Sequence, residues 1–195
     1  MSATGFIIFE TPLGRCGVAW TAAGIARLQL PEVDDGRTIA RLLRSWRGAQ
    51  ESPVPMAQPA TESPPPAVQR AIAAIRSLLD GELADLTGIE LDWTGVGAFD
   101  RRVYDVTRAI SPGQTLTYGA VATRIGAPEA ARAVGRSLGK NPFAIIVPCH
   151  RVLAAGGGMG GFSANGGVAT KQRLLQIERS QFNFPAGGSQ GSLFE

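Results

Sequence analysis

The sequence predicts an α+β protein with two domains, a small N-terminal α/β domain over residues 1–95 and a mostly helical C-terminal domain over residues 96–182. Three observations support this division. Short apolar segments alternate with turn residues in the first third of the chain, whereas apolar residues recur at helical spacing in the second half. The charge also changes sign, because residues 1–95 contain 8 Lys/Arg and 11 Asp/Glu, and residues 96–182 contain 11 Lys/Arg and 4 Asp/Glu.

The N-terminal domain is predicted to begin with an antiparallel meander. Two breaks, Thr-Pro-Leu-Gly and Thr-Ala-Ala-Gly, have turn chemistry and separate three apolar-rich segments. The predicted strands span residues 5–10, 15–20, 25–30 and 89–93, and the predicted helices span 38–47 and 67–80. Residues 48–66 are rich in Pro, Ser, Gln and Glu and are predicted to form a flexible loop. This domain shows no residue pattern that indicates a chemistry, and its Cys16 is expected to be a packed, inert thiol.

The C-terminal domain is predicted to contain a helix-turn-helix pair. Thr117 is a candidate N-cap for a helix at 118–125, a Gly-containing turn follows, and a second helix spans 129–139. The other predicted elements are a helix at 100–110, a strand at 151–154, a Gly-rich loop at 156–161, a last helix at 171–182 and a disordered tail at 183–195. The Gly-rich loop lacks both the phosphate-loop ending and the dinucleotide fingerprint, so a tight turn or a substrate-covering loop is expected.

The apolar run from Phe143 ends at Pro148 and delivers Cys149 and His150 together, and His150 is the only histidine in the chain. A thiolate is the attacking form of cysteine, and a neighbouring imidazole or cation generates it near neutral pH. This arrangement predicts a thiol-nucleophile site.

Glu178 is spaced by three and four residues from Leu174, Leu175 and Phe182, which places a carboxylate on the apolar face of the last helix. An unpaired buried charge is expensive, so a buried partner is expected, either His150 or an arginine. The alternative is that Glu178 lies at the edge of the apolar stripe and is solvated.

A basic stripe lies on the second helix of the pair, where Arg132, Arg136 and Lys140 recur every four residues beside the small residues Ala133 and Ser137. A stripe with little bulk suits close approach to a phosphate backbone, and the basic C-terminal half indicates a polyanionic partner. Two alternatives stay open, because helix-turn-helix units occur without a DNA partner and scattered arginines also maintain solubility.

Several classes of site are not expected. One histidine and two distant cysteines cannot provide the ligand spacing of a zinc site, so we expect no metal and no cofactor. No apolar run reaches the ~18 residues of a membrane span, and the N-terminus lacks the pattern of a secretory signal. These features predict a cytoplasmic protein in which Cys16 and Cys149 do not form a disulfide.

Six ordered motifs carry a resemblance to a known family: Thr117-Tyr118-Gly119, Ala131-Arg132-Ala133-Val134-Gly135, Asn141-Pro142, Val147-Pro148-Cys149-His150-Arg151-Val152, Gly161-Phe162-Ser163 and Lys171 through Glu178. They resemble the methylated-DNA–protein-cysteine methyltransferase family, the suicide repair proteins that remove alkyl groups from guanine. The resemblance is close over residues 96–180 and general over the first half. It implies a winged helix-turn-helix-like DNA-binding unit, a partner of double-stranded DNA bearing alkylated bases, and a monomer.

The resemblance also implies roles for individual residues. Cys149 would accept the alkyl group of 6-O-methylguanine once and irreversibly, with His150 as base through a water, Glu178 orienting it, Asn141 bracing the turn and Tyr118 protonating the leaving base. The residues implied to face the extruded base are Tyr118, Pro148, Val152, Met159, Phe162 and Ser163. The residues implied to contact DNA are Ala131, Arg132, Ala133, Gly135, Arg136, Lys140 and Arg151. Of these, Arg132 would fill the gap that the flipped base leaves.

The sequence departs from the family pattern at two places. Phe162 stands where several relatives have Tyr, and two residues are inserted between Ser163 and Lys171 relative to some members of the family. Two rival functions remain. A cysteine hydrolase would use the same Cys-His-Glu set but has no use for a basic helix-turn-helix. A sensor that binds alkylated DNA without repairing it is the nearer rival, although the presence of Cys149 favours transfer.

Overall fold

The computed structural model describes residues 4–44 and 63–180, which form two compact units. The first unit contains the described residues up to Asp80 together with Ala84–Thr94 and Pro142–Ile146, and the second contains the others. Most of the predicted loop at 48–66 and the whole predicted tail at 183–195 lie outside the described residues. The segment Pro142–Ile146 is in the C-terminal half of the sequence but belongs to the first unit, which the predicted division at residue 95 does not anticipate.

The first unit is built on a three-stranded antiparallel sheet in the order β1-β2-β3, as the meander pattern predicts. The strands are β1 (Gly5–Thr11), β2 (Gly14–Thr21) and β3 (Gly24–Gln29). The second turn requires a glycine, because Gly24 has a φ of +131° and a Cβ there would lie 2.5 Å from the carbonyl oxygen of Glu90.

Helices α1 (Asp35–Leu43) and α2 (Pro66–Leu79) pack against this sheet. Asp34 caps α1 by accepting a hydrogen bond from the backbone N–H of Arg37 at 2.7 Å, and a proline begins α2, where a missing N–H costs nothing. The central strand β2 is buried from Cys16 to Trp20, so both of its faces contribute to the core.

The free edge of β3 receives two single bridges instead of a fourth strand. Ile25 pairs with Leu91, and Leu28 pairs with Phe143, each in a parallel sense. The predicted strand at 89–93 is therefore wrong beyond one residue, because turns flank Leu91 on both sides. Phe143 packs edge-on against Trp93 with ring centroids 5.2 Å apart, which anchors Pro142–Ile146 within the first unit.

The second unit is mostly helical. Its elements are α3 (Ala98–Arg108), β4 (Leu116–Thr117), α4 (Tyr118–Arg124), a 3₁₀ turn (Pro128–Ala130), α5 (Ala131–Gly139), a 3₁₀ turn (Cys149–Arg151), β5 (Val152–Leu153), a 3₁₀ turn (Ala155–Gly157) and α6 (Val168–Ser180). The predicted strand at 151–154 is shorter than expected and pairs in parallel with β4, which the sequence pattern did not predict. The pair α4 and α5 is confirmed as two packed helices, and Thr117 caps α4 by accepting from the N–H of Ala120 at 3.0 Å.

Two further features complete the architecture. Within the described part of the second unit, the β-structure is the parallel β4–β5 pair, so no antiparallel hairpin stands there as a wing. None of the described helices combines the length and the apolar character that a membrane crossing would need.

Candidate active site

Cys149 begins a 3₁₀ turn that is tightly tied to the residues before it. Its backbone N–H donates to the carbonyl oxygen of Val147 at 2.8 Å, and the N–H of Arg151 donates to the carbonyl of Pro148 at 2.9 Å. Asn141 braces the same turn, because its Nδ2 donates to the carbonyl oxygen of Val147 at 2.8 Å. The thiol is therefore held on a stiff piece of backbone.

The surroundings of Cys149 favour a thiol over a thiolate at rest. Burial raises the pKa of Cys149, and it outweighs the side chain of Asn141 and the charge of Lys171, which both act to lower that pKa. A group that accepts the proton is therefore needed before the sulfur can attack at neutral pH.

Lys171 is a site residue for which the sequence predicted no role of its own. Its side chain is fully buried, and its Nζ donates to the carbonyl oxygens of Val152 at 2.7 Å and Met159 at 2.6 Å. Burial lowers its pKa to about 8, and the interaction with Cys149 opposes that shift. A cation there favours a negative sulfur. The signal was present in the sequence, because Lys171 shares a face of the last helix with Leu174, Leu175 and Glu178.

His150 and Glu178 form a buried pair. Their side chains are 1% and 2% exposed, and His150 Nε2 lies 2.8 Å from Glu178 Oε1. The expectation of a buried partner for Glu178 is confirmed, and the solvated alternative is wrong. Burial lowers the pKa of His150, although Glu178 acts to raise it. The imidazole is therefore neutral near pH 7 and can accept a proton.

Arg151 is also buried against Glu178, which corrects the expectation that it contacts DNA. Its side chain is 6% exposed and makes a charge-assisted hydrogen bond of 2.7 Å from Nη2 to Glu178 Oε1. Its Nη1 donates to the carbonyl oxygen of Ile110, beyond the end of α3. A guanidinium held in this way cannot reach a phosphate without abandoning a buried carboxylate.

A cavity of about 470 Å³ opens beside the thiol. Its walls are formed by Tyr118, Gly135, Leu138, Gly139, Cys149, Gly161, Phe162 and Ser163. Three of the residues expected to face a substrate thus line the same cavity as Cys149, namely Tyr118, Phe162 and Ser163. The volume is in the range of pockets that hold small organic molecules.

The other three residues expected to face a substrate do not line this cavity. Pro148 and Val152 are buried, and the carbonyl oxygen of Val152 accepts a hydrogen bond from Lys171. Met159 is half-buried and likewise offers its backbone carbonyl to Lys171. Residues next to a reactive side chain in the sequence share its backbone segment, but their own side chains need not face the same cavity.

Tyr118 closes one side of the cavity. Burial, followed by the nearby charge of Cys149, raises the pKa of its hydroxyl, which keeps the proton available for donation. Gly160 has a φ of +64°, and a Cβ there would lie 3.0 Å from the Tyr118 hydroxyl oxygen. A glycine is therefore required for both the backbone conformation and the close approach.

The basic stripe on α5 is on the surface, since Arg132, Arg136 and Lys140 are all exposed. Ser137 does not flank it, because that side chain is 2% exposed and lies on the inner face of α5. Of the other residues expected to contact DNA, Ala131 and Ala133 are half-buried, and Gly135 lines the cavity.

Neither cysteine belongs to a metal site among the described residues, where no group of three or more His, Cys, Asp and Glu side chains is placed to hold an ion. Cys16 is fully buried in the first unit, and burial raises its pKa to about 11. This thiol is unreactive in comparison with one that borders a cavity.

Comparison with known proteins gives consistent matches. The family model described as 6-O-methylguanine DNA methyltransferase, DNA binding domain, matches residues 98–180. A methylated-DNA–protein-cysteine methyltransferase from Methanothermobacter thermautotrophicus is 42% identical over 60% of this chain and 64% of its own length, and one from Haemophilus influenzae is 31% identical over 92% and 88%. The crystal structure of Mycobacterium tuberculosis OGT in complex with DNA has a TM-score of 0.67 at 32% identity, covering 90% of this chain and 93% of that one.

Proposed function

Because this chain belongs to the methylated-DNA–protein-cysteine methyltransferases, a family of enzymes, we propose that it repairs DNA by moving the alkyl group of 6-O-methylguanine onto Cys149. The observation that supports this most is the position of the thiol. Cys149 lies in the wall of a cavity, next in sequence to a buried His150–Glu178 pair and within the field of Lys171. Transfer to carbon requires a soft nucleophile, and a thiolate provides it.

The substrate base must leave the duplex to reach this cavity. A guanine oxygen inside stacked DNA is not accessible to a side chain, so the nucleotide is rotated out and bound in a pocket. Tyr118, Phe162 and Ser163 would contact the extruded base, since they line the cavity with Cys149. The pair α4 and α5 would present a helix-turn-helix surface to the DNA, with Arg132, Arg136 and Lys140 outermost.

The chemical step transfers one alkyl group and one proton. The thiol proton passes to Nδ1 of His150, through a bridging water, while Glu178 accepts the hydrogen bond from Nε2. The sulfur attacks the alkyl carbon in line with the carbon–oxygen bond, and that bond breaks as the sulfur–carbon bond forms. The electron pair remains on the guanine, which takes a proton from the Tyr118 hydroxyl. The proton held by His150 restores Tyr118, so the products are guanine and S-alkylcysteine.

The reaction would be irreversible. A thioether has no hydrolytic or thiol-exchange route back to the thiol under physiological conditions, so each molecule would act once. A cysteine hydrolase with the same side chains would instead turn over, because an acyl-enzyme is hydrolysed. A lesion sensor would bind the base and leave it alkylated.

Intact-mass measurement after incubation with an oligonucleotide that contains 6-O-methylguanine separates these functions. We expect a mass gain of one methyl group for each protein molecule, with peptide mapping that places it on Cys149 and leaves Cys16 unmodified. Cys149→Ala should bind the oligonucleotide without gaining mass, and Cys16→Ala, the matched control, should react like the parent protein. Repeated turnover, or binding with no mass change, would contradict the proposal.

A further inference from the structure

Arg151 is more tightly coupled to Glu178 than His150 is. Its Nε lies 3.1 Å from Oε1 and 2.9 Å from Oε2 of the carboxylate, and its Nη2 lies 2.7 Å from Oε1. His150 contributes one contact, from Nε2 to Oε1 at 2.8 Å. Arg151 therefore sets the orientation of the carboxylate, and the imidazole binds to a group that is already oriented.

We propose that Arg151 is a positioning residue that holds Glu178 ionised and fixes neutral His150 with its proton on Nε2, which leaves Nδ1 as the proton acceptor. The inference rests on the proposed function in one respect only, which is that the proton accepted by Nδ1 comes from Cys149.

Hydrogen-bond chemistry determines the tautomer. A carboxylate paired with a guanidinium is ionised and only accepts, so the His150 nitrogen that faces it must carry a hydrogen. Neutral imidazole has one N–H, and with that hydrogen on Nε2 the other nitrogen is unprotonated. Nδ1 of His150 is buried and finds no hydrogen-bond partner among residues 4–44 and 63–180. A bare acceptor is thus left at the residue that adjoins Cys149 in sequence.

The charge of Arg151 has a second effect on His150. The charged or titratable groups that act on this imidazole are Glu178 and Lys171 from α6, and Arg151 in its own turn, with Cys149 adjacent in sequence. Glu178 favours the imidazolium, whereas Arg151 and Lys171 disfavour it. Without Arg151, the carboxylate would act on His150 with less opposition, and an imidazolium cannot accept a proton.

Since His150 is the only histidine, the full chain labelled with ¹⁵N-histidine and carrying no histidine tag gives two ring nitrogen resonances. In the parent protein at neutral pH we expect a protonated Nε2 and an unprotonated Nδ1. In Arg151→Gln, the titration of the ring should move up by about 1 pH unit or more, as loss of a nearby opposing charge does. The acid limb of the transfer rate should move by the same amount, so that at a given pH on that limb the rate falls about 10-fold for a shift of 1 pH unit.

Two further variants separate positioning from general support of the fold. Arg151→Lys keeps the positive charge and should restore most of the parent titration of the His150 ring. The transfer rate can still be lower, because lysine lacks the several N–H donors that arginine directs at Glu178. Arg102→Gln removes an arginine that donates to the carbonyl of Ile125 and does not touch Glu178, so its ring resonances should match those of the parent protein.

Two results would overturn the inference. One is a protonated Nδ1 in the parent protein at neutral pH. The other is an Arg151→Gln variant that is folded by its amide spectrum and keeps the parent titration and acid limb. These spectra are recorded without DNA, so they remain decisive if Cys149 proves not to be an alkyl acceptor.

Discussion

Glu178→Gln tests whether the buried carboxylate is ionised in the folded protein, and its expected signature is a change in how stability depends on pH. Burial pushes the pKa of Glu178 up, but its interactions with His150 and Arg151 are stronger in sum and hold the pKa at about 2. Near pH 7, where burial keeps His150 neutral, Arg151 is the charged partner of Glu178. The amide has nearly the same size and cannot ionise.

The sign and the size of the effect follow from linkage between proton binding and folding. A carboxyl with a lower pKa in the folded state stabilises the protein above the pKa of the unfolded state, and this contribution is lost as the pH falls through the folded value. A shift of the Glu178 pKa from 4.5 to about 2 corresponds to about 3 kcal/mol. About 2 kcal/mol of it should already be lost at pH 3.

The assay is urea unfolding between pH 7 and pH 3, followed by far-UV circular dichroism. The single variant leaves Arg151 buried without its carboxylate and should lose about 3–5 kcal/mol at pH 7. If that loss prevents folding, the double variant Arg151→Met/Glu178→Gln removes both charges and remains measurable. In either variant the free energy of unfolding should fall less steeply below pH 5 than in the parent protein.

Glu129→Gln is the matched control, because Glu129 is exposed on the turn before α5. Its stability curve should run parallel to that of the parent protein. A Glu178 variant whose stability curve also runs parallel to that of the parent protein between pH 5 and pH 3 would contradict this prediction, since Glu178 would then titrate alike in the folded and unfolded states.

Two other predictions concern DNA and metals. Arg132→Ala should slow transfer from duplex DNA far more than transfer from free 6-O-benzylguanine, because only the duplex requires base flipping, whereas Arg136→Ala should mainly weaken binding and reduce its salt slope by about one unit. If both variants lose only salt-sensitive affinity, Arg132 is an ordinary phosphate contact. Chelators should change neither stability nor transfer, as no cluster of metal ligands exists among the described residues, and a loss in EDTA that zinc reverses would refute this.

The sequence pattern predicted the helices and strands well where apolar residues follow a single period, of two for a strand or about 3.6 for a helix. The three strands of the meander appear within one or two residues of the predicted bounds, and Thr117 caps its helix as expected. The prediction of a strand at 89–93 was wrong, because only Leu91 of this segment forms a bridge, with Ile25 on the edge of β3. Strand formation needs a neighbouring backbone, and a sequence window does not reveal whether one is available.

Some features had no local signal. Ile145 has a φ of +70°, a conformation that β-branched residues rarely adopt and that packing must impose. The parallel pairing of two-residue strands β4 and β5 is also set by long-range contacts, because neither segment is long enough to show a period.

The sequence by itself determined the order of the elements, the adjacency of Cys149 and His150, and the presence of Glu178 on an apolar helix face. Adjacency is covalent, and a face follows from the helical period. Only the tertiary structure decided that Arg151 shares Glu178 with His150, that Lys171 lies in the field of Cys149, and that Pro148 and Val152 are excluded from the cavity. The physical reason is that periodicity determines only which face of its own element a side chain occupies. Which buried group that side chain contacts depends on how elements distant in sequence pack. In a low-dielectric interior these contacts decide which charges are paired and which imidazole nitrogen carries the proton.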